Sequence, residues 1–219
     1  MPQQQFDLMV FDWDGTLMDS TSAITRCIQA SCADLGLPVP EESVASHVIG
    51  FGLEDALKLA APTLDPKDYR KLAERYRFHY LSQDHQLELF PGVMDMLGAL
   101  RGDGYLLAVA TGKSRRGLDR ALDASGLRPL FDVTRCADET FSKPHPAMLQ
   151  EISDALGARL ARTVMIGDTT HDLQMAVNAG AQGVAVTYGA HPRTQLATLS
   201  PLFFADSVPQ LQGWLAAHG

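Results

Sequence analysis

The stretch "LMVFDWDGTLMDS", residues 8–20, places two aspartates one residue apart at the end of an apolar run. Asp12 and Asp14 stand where a buried strand is predicted to end and a Gly-Thr turn to begin. Because neighbouring carboxylates repel each other, such a pair needs a cation, a shared proton or open solvent. A solvated turn would also explain the stretch, since Asp and Gly are ordinary turn residues. The residues that follow the other strands distinguish these two interpretations.

The composition is typical of an ordinary globular protein. Of the 219 residues, 46% are hydrophobic and 20% are charged, which suits one large domain or a core domain with a smaller partner. The formal net charge of -8 argues against non-specific binding of nucleic acid. An acidic protein still binds phosphate where local cations and backbone amides outweigh the overall charge.

Several features favour a soluble cytoplasmic protein without a membrane partner. The N-terminus lacks the basic start and the apolar segment of a signal peptide. No apolar run approaches the roughly 20 residues that cross a bilayer. The three cysteines, Cys27, Cys32 and Cys136, form no CxxC pair, and their odd number favours a reducing compartment. We expect a monomer or a homodimer.

Short apolar runs alternate with helical patterns along most of the chain. The apolar runs predict buried strands at 6–11, 105–110, 163–167 and 183–188. The patterns between them predict helices around 92–101, 115–125, 145–156 and 170–179. This alternation predicts an α/β fold, a Rossmann-like parallel sheet with helices on both faces, whose ligands bind at the carboxyl ends of the strands.

The segment between the first two predicted strands has helical periodicity only. Apolar residues recur at helical spacing in 21–37 and again in 65–81, where Tyr69, Tyr76 and Tyr80 are predicted to pack in a small core. We therefore predict an all-helical insertion at 18–89. It would divide the core domain into two parts, at 1–17 and 90–219.

Polar side chains follow the predicted strands near the point where each one ends. They are Asp12, Asp14, Thr111, Gly112, Asp168 and Asp172, and Lys143 comes near the end of the stretch "FDVTRCADETFSKP" (131–144). Because the carboxyl ends of parallel strands meet at one edge of a sheet, these groups are expected to gather at one rim. If Asp12 and Asp14 only formed a solvated turn, there would be no reason for polar residues of these types to follow the other strands as well. A functional site is therefore the better interpretation.

These residue types suit phosphoryl transfer. Hard cations such as Mg²⁺ take oxygen ligands and keep several waters, so carboxylates and a substrate phosphate form a natural site for them. The absence of a CxxC or HExxH pattern disfavours zinc at this rim. A carboxylate can accept a phosphoryl group as a nucleophile. The Thr111 hydroxyl, the backbone amides of the turns and the Lys143 ammonium can hold the transferring oxygens.

Four motifs, in this order along the chain, resemble those of the haloacid dehalogenase superfamily. They are "DWDGT" (12–16), "VATGK" (109–113), "SKPHP" (142–146) and "IGDTTHDLQMAVNAG" (166–180). The resemblance covers about residues 6–190, and the insertion after the first motif resembles the helical cap of the phosphoglycolate-phosphatase-like branch. It implies a phosphoric monoester hydrolase that uses Mg²⁺ and an aspartyl-phosphate intermediate, and whose substrate is a small phosphorylated metabolite.

The resemblance also implies the roles of the residues in the first motif. Asp12 is the expected nucleophile and a Mg²⁺ ligand. Asp14 is the expected general acid and base, and would bind Mg²⁺ through its backbone carbonyl. An aspartate at this second position separates phosphatases from dehalogenases. Trp13 departs from the small or aliphatic residue that is often found between them, and its side chain is expected to face the core.

The other three motifs supply the expected binding residues. Thr111, Gly112 and Lys143 would hold the phosphate, and Lys143 would also offset the charge of the nucleophile. Asp168 would complete the metal site. Asp172 would be either a metal ligand or a partner that supports one.

Two stretches begin like nucleotide-binding motifs without matching them. "ATGKS" (110–114) would need glycine at position 107, where the chain has Leu107, and "GFGLED" (50–55) has Asp55 at the third glycine position. Gly50 and Phe51 belong either to a cap loop that contacts the substrate's leaving group or to a plain helix-to-helix turn. His171, within the fourth motif, is predicted to be an exposed residue at a helix start and not a ligand.

Other functions remain compatible with these motifs. A β-phosphoglucomutase-like phosphomutase shares the same cap type, and a nucleotidase or a pyrophosphatase is also open. A phosphate-sensing interaction module without catalysis is the alternative outside the enzymes. Such a module could have lost a motif residue, whereas Asp12, Asp14, Lys143 and Asp168 are all present.

Overall fold

A six-stranded parallel sheet forms the centre of the molecule in the computed structural model, which describes residues 5–218. The strand order is β3-β2-β1-β4-β5-β6, so β1 lies between β2 and β4. The strands are β1 (Leu8–Phe11), β2 (Leu106–Thr111), β3 (Val133–Cys136), β4 (Thr163–Gly167), β5 (Gln182–Val186) and β6 (Phe204–Ala205). This arrangement confirms the predicted α/β fold.

Helices cover both faces of this sheet. They are α5 (Val93–Gly102), α6 (Arg115–Ser125), α7 (Ala147–Leu156), α8 (Thr170–Ala179), α9 (Arg193–Leu196) and α10 (Val208–His218). Successive side chains of a strand point to opposite faces. Met9 and Phe11 accordingly pack in the cluster that contains α5, α6 and α10 residues, while Leu8 and Val10 pack in the one that contains α7 and α8 residues. This two-sided burial explains why β1 is apolar at every position.

Four helices follow β1 and form the inserted cap. They are α1 (Thr21–Asp34), α2 (Glu42–His47), α3 (Leu53–Ala60) and α4 (Tyr69–Leu81). They bury two small apolar clusters of their own, which include Ile28 and Val48 in one and Leu57 and Leu72 in the other. A segment with a separate small core is expected to move relative to the sheet more easily than a helix that packs on it.

The two connections between cap and core run side by side. The Asp19 N–H donates to the Glu88 carbonyl at 2.9 Å, and the Phe90 N–H donates to the Leu17 carbonyl at 2.9 Å. The predicted boundaries at residues 17/18 and 89/90 fall within this pair of connections. The division into two domains at these positions stays a prediction.

The sequence-based prediction missed β3 and β6, and it placed the ends of three strands one or two residues away from their positions in the structure. The sequence of β3, "VTRC", is only partly buried, and β6 has two residues. Trp13 lies fully buried in the core cluster, as predicted. The three cysteines are buried and form no disulfide. Within residues 5–218, none of the helices has the length and the apolarity to cross a bilayer.

Candidate active site

Asp12 and Asp168 lie side by side because their strands do. β1 pairs with β4 in a register that aligns Phe11 with Ile166. Beyond this pair, the Asp12 backbone N–H donates to the Ile166 carbonyl at 2.9 Å. Both strands end here, so the two carboxylates follow at the same rim of the sheet.

Two glycines leave room for the Asp168 carboxylate. A Cβ on Gly15 would stand 2.1 Å from Asp168 Oδ2, and a Cβ on Gly189 would stand 2.2 Å from the same atom. Gly15 also has φ +80°, a conformation that L side chains rarely adopt. The Gly-Thr turn after Asp14 therefore requires glycine for its backbone and for the carboxylate packed on it.

The two oxygens of Asp12 have different environments. Oδ1 accepts a hydrogen bond from Lys143 Nζ at 2.6 Å. Oδ2 is buried and has no hydrogen-bond partner among the described residues. Burial raises the pKa of Asp12 well above its ordinary value, and although the Lys143 ammonium opposes this effect, the carboxylates of Asp172 and Asp168 add to it. A cation at Oδ2 would satisfy this atom and favour the ionised carboxylate.

Lys143 is fully buried between two carboxylates. Its Nζ lies 2.6 Å from Asp12 Oδ1 and 2.6 Å from Asp172 Oδ1. Burial disfavours the ammonium, but the attraction of the two carboxylates outweighs burial and raises the pKa of Lys143. The structure therefore brings Asp12, Lys143 and Asp172 into one ion-pair network.

Asp172 is held in place from its other side by the start of α8. Its Oδ2 accepts from the Thr169 N–H at 3.1 Å and from Thr169 Oγ1 at 2.7 Å. Thr169 Oγ1 in turn accepts from the Asp172 N–H, which completes a capping box at the helix N-terminus. Asp172 therefore holds Lys143 in place, and its part in a metal site, as a ligand or as a support for one, stays a prediction.

Asp168 has one donor on each oxygen. Oδ1 accepts from Thr16 Oγ1 at 3.0 Å, and Oδ2 accepts from the Ala190 N–H at 2.7 Å. Complete burial and the neighbouring carboxylate of Asp172 raise the pKa of Asp168 to about 7, although both hydrogen bonds oppose the shift. One oxygen from each of Asp12, Asp168 and Asp172 lies within 4.8 Å of the others. When all three carboxylates are ionised, they carry three negative charges, and the Lys143 ammonium offsets only one of them.

Asp14 points toward a second cation. Its Oδ1 accepts from Ser20 Oγ at 2.6 Å and lies 3.0 Å from Lys113 Nζ. Lys113 also donates to the Tyr80 hydroxyl at 2.7 Å, so it joins Asp14 to helix α4 of the cap. Sequence reasoning missed Lys113, although the residue stands in the "VATGK" motif directly after the predicted phosphate-binding pair.

A loop of the cap contacts the turn after β2. A Cβ on Gly112 would stand 2.4 Å from the Phe51 carbonyl oxygen and 2.6 Å from the Gly50 carbonyl oxygen. The Gly52 N–H donates to Ser142 Oγ at 2.8 Å, next to Lys143 in the chain. The structure thus places Gly50 and Phe51 against the predicted phosphate-binding turn. That they contact the substrate stays a prediction.

A cavity of about 590 Å³ lies between the cap and the rim of the sheet. Asp12, Asp14, Gly112 and Lys113 line it from the core side. Apolar and aromatic cap residues line the other side, namely Ile24, Ile28, Val48, Ile49, Tyr76 and Tyr80. The cavity is polar where the carboxylates stand and mostly apolar on the side of the cap.

Comparison with known proteins agrees with this arrangement. The sequence profile of haloacid dehalogenase-like hydrolases matches residues 9–186. The chain belongs to the haloacid dehalogenase-like hydrolases. A relative in this family, the probable phosphatase IndB of Dickeya dadantii, is 39% identical over 217 residues, which cover 96% of this chain and 93% of the relative. The phosphoglycolate phosphatase of Aliivibrio fischeri is 31% identical, over 95% of this chain and 96% of that protein.

A solved structure has the same fold as this chain. The predicted phosphoglycolate phosphatase of Haemophilus somnus superposes with a TM-score of 0.84 at 27% identity, and the alignment covers 97% of this chain and 99% of that one. The predicted family and its hydrolase class are therefore confirmed. The fold prediction, including the helical cap, is confirmed as well.

One prediction about an individual side chain needs correction. His171 is at a helix start, as expected, but it is buried, because His47 and Phe51 of the cap pack against its ring. The tyrosines of α4 pack against the two apolar clusters of the cap, as predicted, and Tyr76 and Tyr80 also line the cavity. The burial of His171 was missed because the sequence did not show how the cap sits on the core.

Proposed function

We propose that this chain is a Mg²⁺-dependent phosphatase that hydrolyses a small, phosphoglycolate-like phosphomonoester through an aspartyl-phosphate at Asp12. The observation that carries the proposal is the hydrogen bonding of the Asp12 carboxylate. Its Oδ1 accepts a hydrogen bond from Lys143, whereas its Oδ2 is buried near Asp168 and has no hydrogen-bond partner among residues 5–218. A carboxylate held in this way suits a nucleophile whose charge a lysine and a metal ion stabilise together.

The residues present fit a magnesium ion. The unpartnered Asp12 Oδ2, the Asp168 carboxylate and the backbone carbonyl of Asp14 would hold it, and all three offer oxygen. When bound, the ion would offset the excess carboxylate charge and polarise the phosphate. No histidine or cysteine belongs to the cluster of Asp12, Asp168 and Asp172. This donor set suits Mg²⁺ better than a softer metal.

The proposed reaction has two steps. In the first, a bond forms between an Asp12 oxygen and phosphorus, the bond between phosphorus and the ester oxygen breaks, and protonated Asp14 gives its proton to the departing oxygen. In the second, Asp14 takes a proton from water, the water oxygen attacks phosphorus, and the bond to Asp12 breaks. Thr111, the Gly112 amide and Lys143 would hold the phosphate oxygens throughout.

Lys113 favours a leaving group that carries a negative charge. When Asp14 is protonated for the first step, the Lys113 ammonium loses its carboxylate partner, although only 10% of the Lys113 side chain is exposed to solvent. A carboxylate on the substrate would replace that partner, and an ester such as phosphoglycolate carries one. The phosphoglycolate phosphatase named among the relatives supports the same substrate class.

A second candidate is a larger phosphomonoester, such as a sugar phosphate or a nucleoside monophosphate. The observation that favours it is the cavity, whose volume of about 590 Å³ lies within the range of sites that hold drug-sized ligands. Tyr76 and Tyr80, whose ring planes differ by 20°, line its apolar side. A monomer or homodimer in the cytoplasm stays our prediction for the context in which the chain acts.

The test is a comparison of matched substrates in the presence of Mg²⁺. The release of inorganic phosphate gives kcat/KM for four substrates: phosphoglycolate, 2-phosphoethanol, a sugar phosphate and a nucleoside monophosphate. The leaving group of 2-phosphoethanol has a hydroxyl group where that of phosphoglycolate has a carboxylate. We expect phosphoglycolate to exceed 2-phosphoethanol in the wild type, and Lys113→Met to remove most of this preference. A preference for the larger esters would support the second candidate. Isomerised sugar phosphate without phosphate release would identify a mutase, and binding without turnover would identify a sensing module.

A further inference from the structure

Two tyrosines of the cap line the cavity side by side. Tyr76 and Tyr80 are four residues apart on α4, so they lie on the same face of this helix. Their ring centroids are 5.8 Å apart, and the ring planes differ by only 20°. Both side chains belong to the wall of the cavity that the carboxylates line from the core side. Two neighbouring phenol groups of the cap therefore face the space in which a substrate would bind.

The two hydroxyl groups have unused hydrogen-bonding capacity. The Tyr80 hydroxyl accepts from Lys113 Nζ at 2.7 Å, so its own proton remains available to donate. The Tyr76 hydroxyl makes no hydrogen bond with another residue of the described range 5–218. The hydroxyl of a partly buried tyrosine usually has a partner. A ligand in the cavity could supply the partner that the Tyr76 hydroxyl lacks.

Lys113 brings a third donor to the same place. An ammonium has three hydrogens, and those of Lys113 reach Tyr80 at 2.7 Å and Asp14 Oδ1 at 3.0 Å, which leaves one for a ligand. Burial raises the pKa of Tyr76 and of Tyr80, so both phenols keep their protons at neutral pH. This part of the cavity therefore offers three donors and the positive charge of one ammonium.

We propose that Tyr76, Tyr80 and Lys113 form a subsite that binds a carboxylate of the substrate's leaving group. The subsite rests on the proposed function, in which Lys113 pairs with such a carboxylate, and it adds the two cap hydroxyls as further donors. An ionised carboxylate only accepts hydrogen bonds, and its single negative charge matches the single ammonium. A second phosphate group would bring more negative charge than this ammonium offsets.

The subsite would join the cap to the core through the ligand. Tyr76 and Tyr80 belong to α4 of the cap, whereas Lys113 follows β2 of the core. A carboxylate that binds to all three would therefore favour the closed position of the cap. Binding energy from a part of the substrate that does not react would in this way help to exclude water from the carboxylate site.

Calorimetric titration in saturating Mg²⁺ tests the subsite with two ligands that cannot be hydrolysed. In 3-phosphonopropionate a carbon replaces the ester oxygen of phosphoglycolate, and in propylphosphonate a methyl group also replaces the carboxylate. The ratio of the two Kd values gives the preference for the carboxylate. We expect Tyr76→Phe to lower this preference by about 10- to 100-fold, as is typical for the loss of a hydrogen bond to a charged group. The affinity for propylphosphonate should change little.

Tyr76→Phe is the most direct variant, because the lost hydroxyl leaves no protein group without a partner. Its matched control is Tyr105→Phe. Tyr105 packs in the core cluster just before β2, at the end of that strand away from Thr111, and its hydroxyl also makes no hydrogen bond within residues 5–218. The control should keep the preference of the wild type.

The possible outcomes separate the subsite from the proposed function. Equal affinity of the wild type for the two ligands, an unchanged preference in Tyr76→Phe, or an equal loss of affinity for both ligands in this variant would overturn the subsite. The absence of phosphate release from any ester in the presence of Mg²⁺ would refute the proposed function. The calorimetric preference, and with it the subsite, would remain valid in that case.

Discussion

Replacing Asp168 by asparagine tests the electrostatics of the carboxylate site without relying on activity. The pKa of Asp168 is about 7 in the folded protein, compared with an ordinary value of 3.8. At about 1.4 kcal/mol for each pH unit, ionising this group in the metal-free folded protein costs about 4 kcal/mol. Because the folded-state pKa is the higher one, the contribution of Asp168 to the stability of the metal-free protein falls as the pH rises from about 4 through about 7.

Asparagine removes the charge but not every contact. Its oxygen can still accept from Thr16 Oγ1, while the Ala190 N–H loses its acceptor. A buried unsatisfied donor costs about 1–3 kcal/mol. At about pH 8, Asp168→Asn should therefore stabilise the metal-free protein by roughly 1–3 kcal/mol. Near pH 5 most of this gain should disappear, because the folded wild type then holds the proton.

Urea denaturation of the metal-free proteins at both pH values measures this difference. Asp103→Asn, a change at an exposed aspartate, should alter the free energy of unfolding little at either pH. Excess Mg²⁺ should stabilise the wild type by about 2.7 kcal/mol at 100 times its Kd, and the asparagine variant much less. A variant that is less stable than the wild type at about pH 8, in the absence of metal, would refute the electrostatic reasoning.

Three further substitutions have distinct expected results. Asp14→Asn keeps a side-chain oxygen that accepts from Ser20 and Lys113. It should slow the hydrolysis of alkyl phosphate esters by about 10²–10⁴-fold. An activated aryl phosphate should instead give a rapid burst of aryl alcohol near one equivalent of enzyme. Asp172→Asn should lower kcat more than the affinity for Mg²⁺, and the opposite result in metal titrations would identify a direct ligand. Gly112→Ala should lower kcat/KM for small esters by about 10²-fold, because its Cβ would prevent the present closure of the cap. The matched control is Gly98→Ala, whose Cβ would meet no atom within 4 Å.

The sheet was predictable because each central strand leaves a simple signal. β1 and β4 are buried at every position, and unbroken apolar runs of this length are typical of strands in parallel sheets. β3 gives no such signal, since only Cys136 at its end is buried. β6, with two residues, is too short for a periodic pattern. The edges of the sheet were therefore missed, and its centre was found.

The candidate site was predictable to the extent that its residues follow strands. Asp12 and Asp168 meet because β1 and β4 pair, and this pairing follows from the fold class. The partner of Asp14 was missed, because the ion pair with Lys113 depends on the paths of two turns. The burial of His171 was missed because it depends on how the cap packs, and single-sequence periodicity carries no information about that contact.

The central claim is that Asp12 carries the phosphoryl group during turnover. Acid quenching of the Mg²⁺-loaded enzyme while it turns over an activated aryl phosphate, followed by digestion at low pH and mass spectrometry, measures this directly. We expect a phosphorylated peptide whose modified residue is Asp12, and we expect Asp12→Asn to show neither the adduct nor turnover. Full turnover by Asp12→Asn, or an adduct on a different residue, would contradict the proposed mechanism.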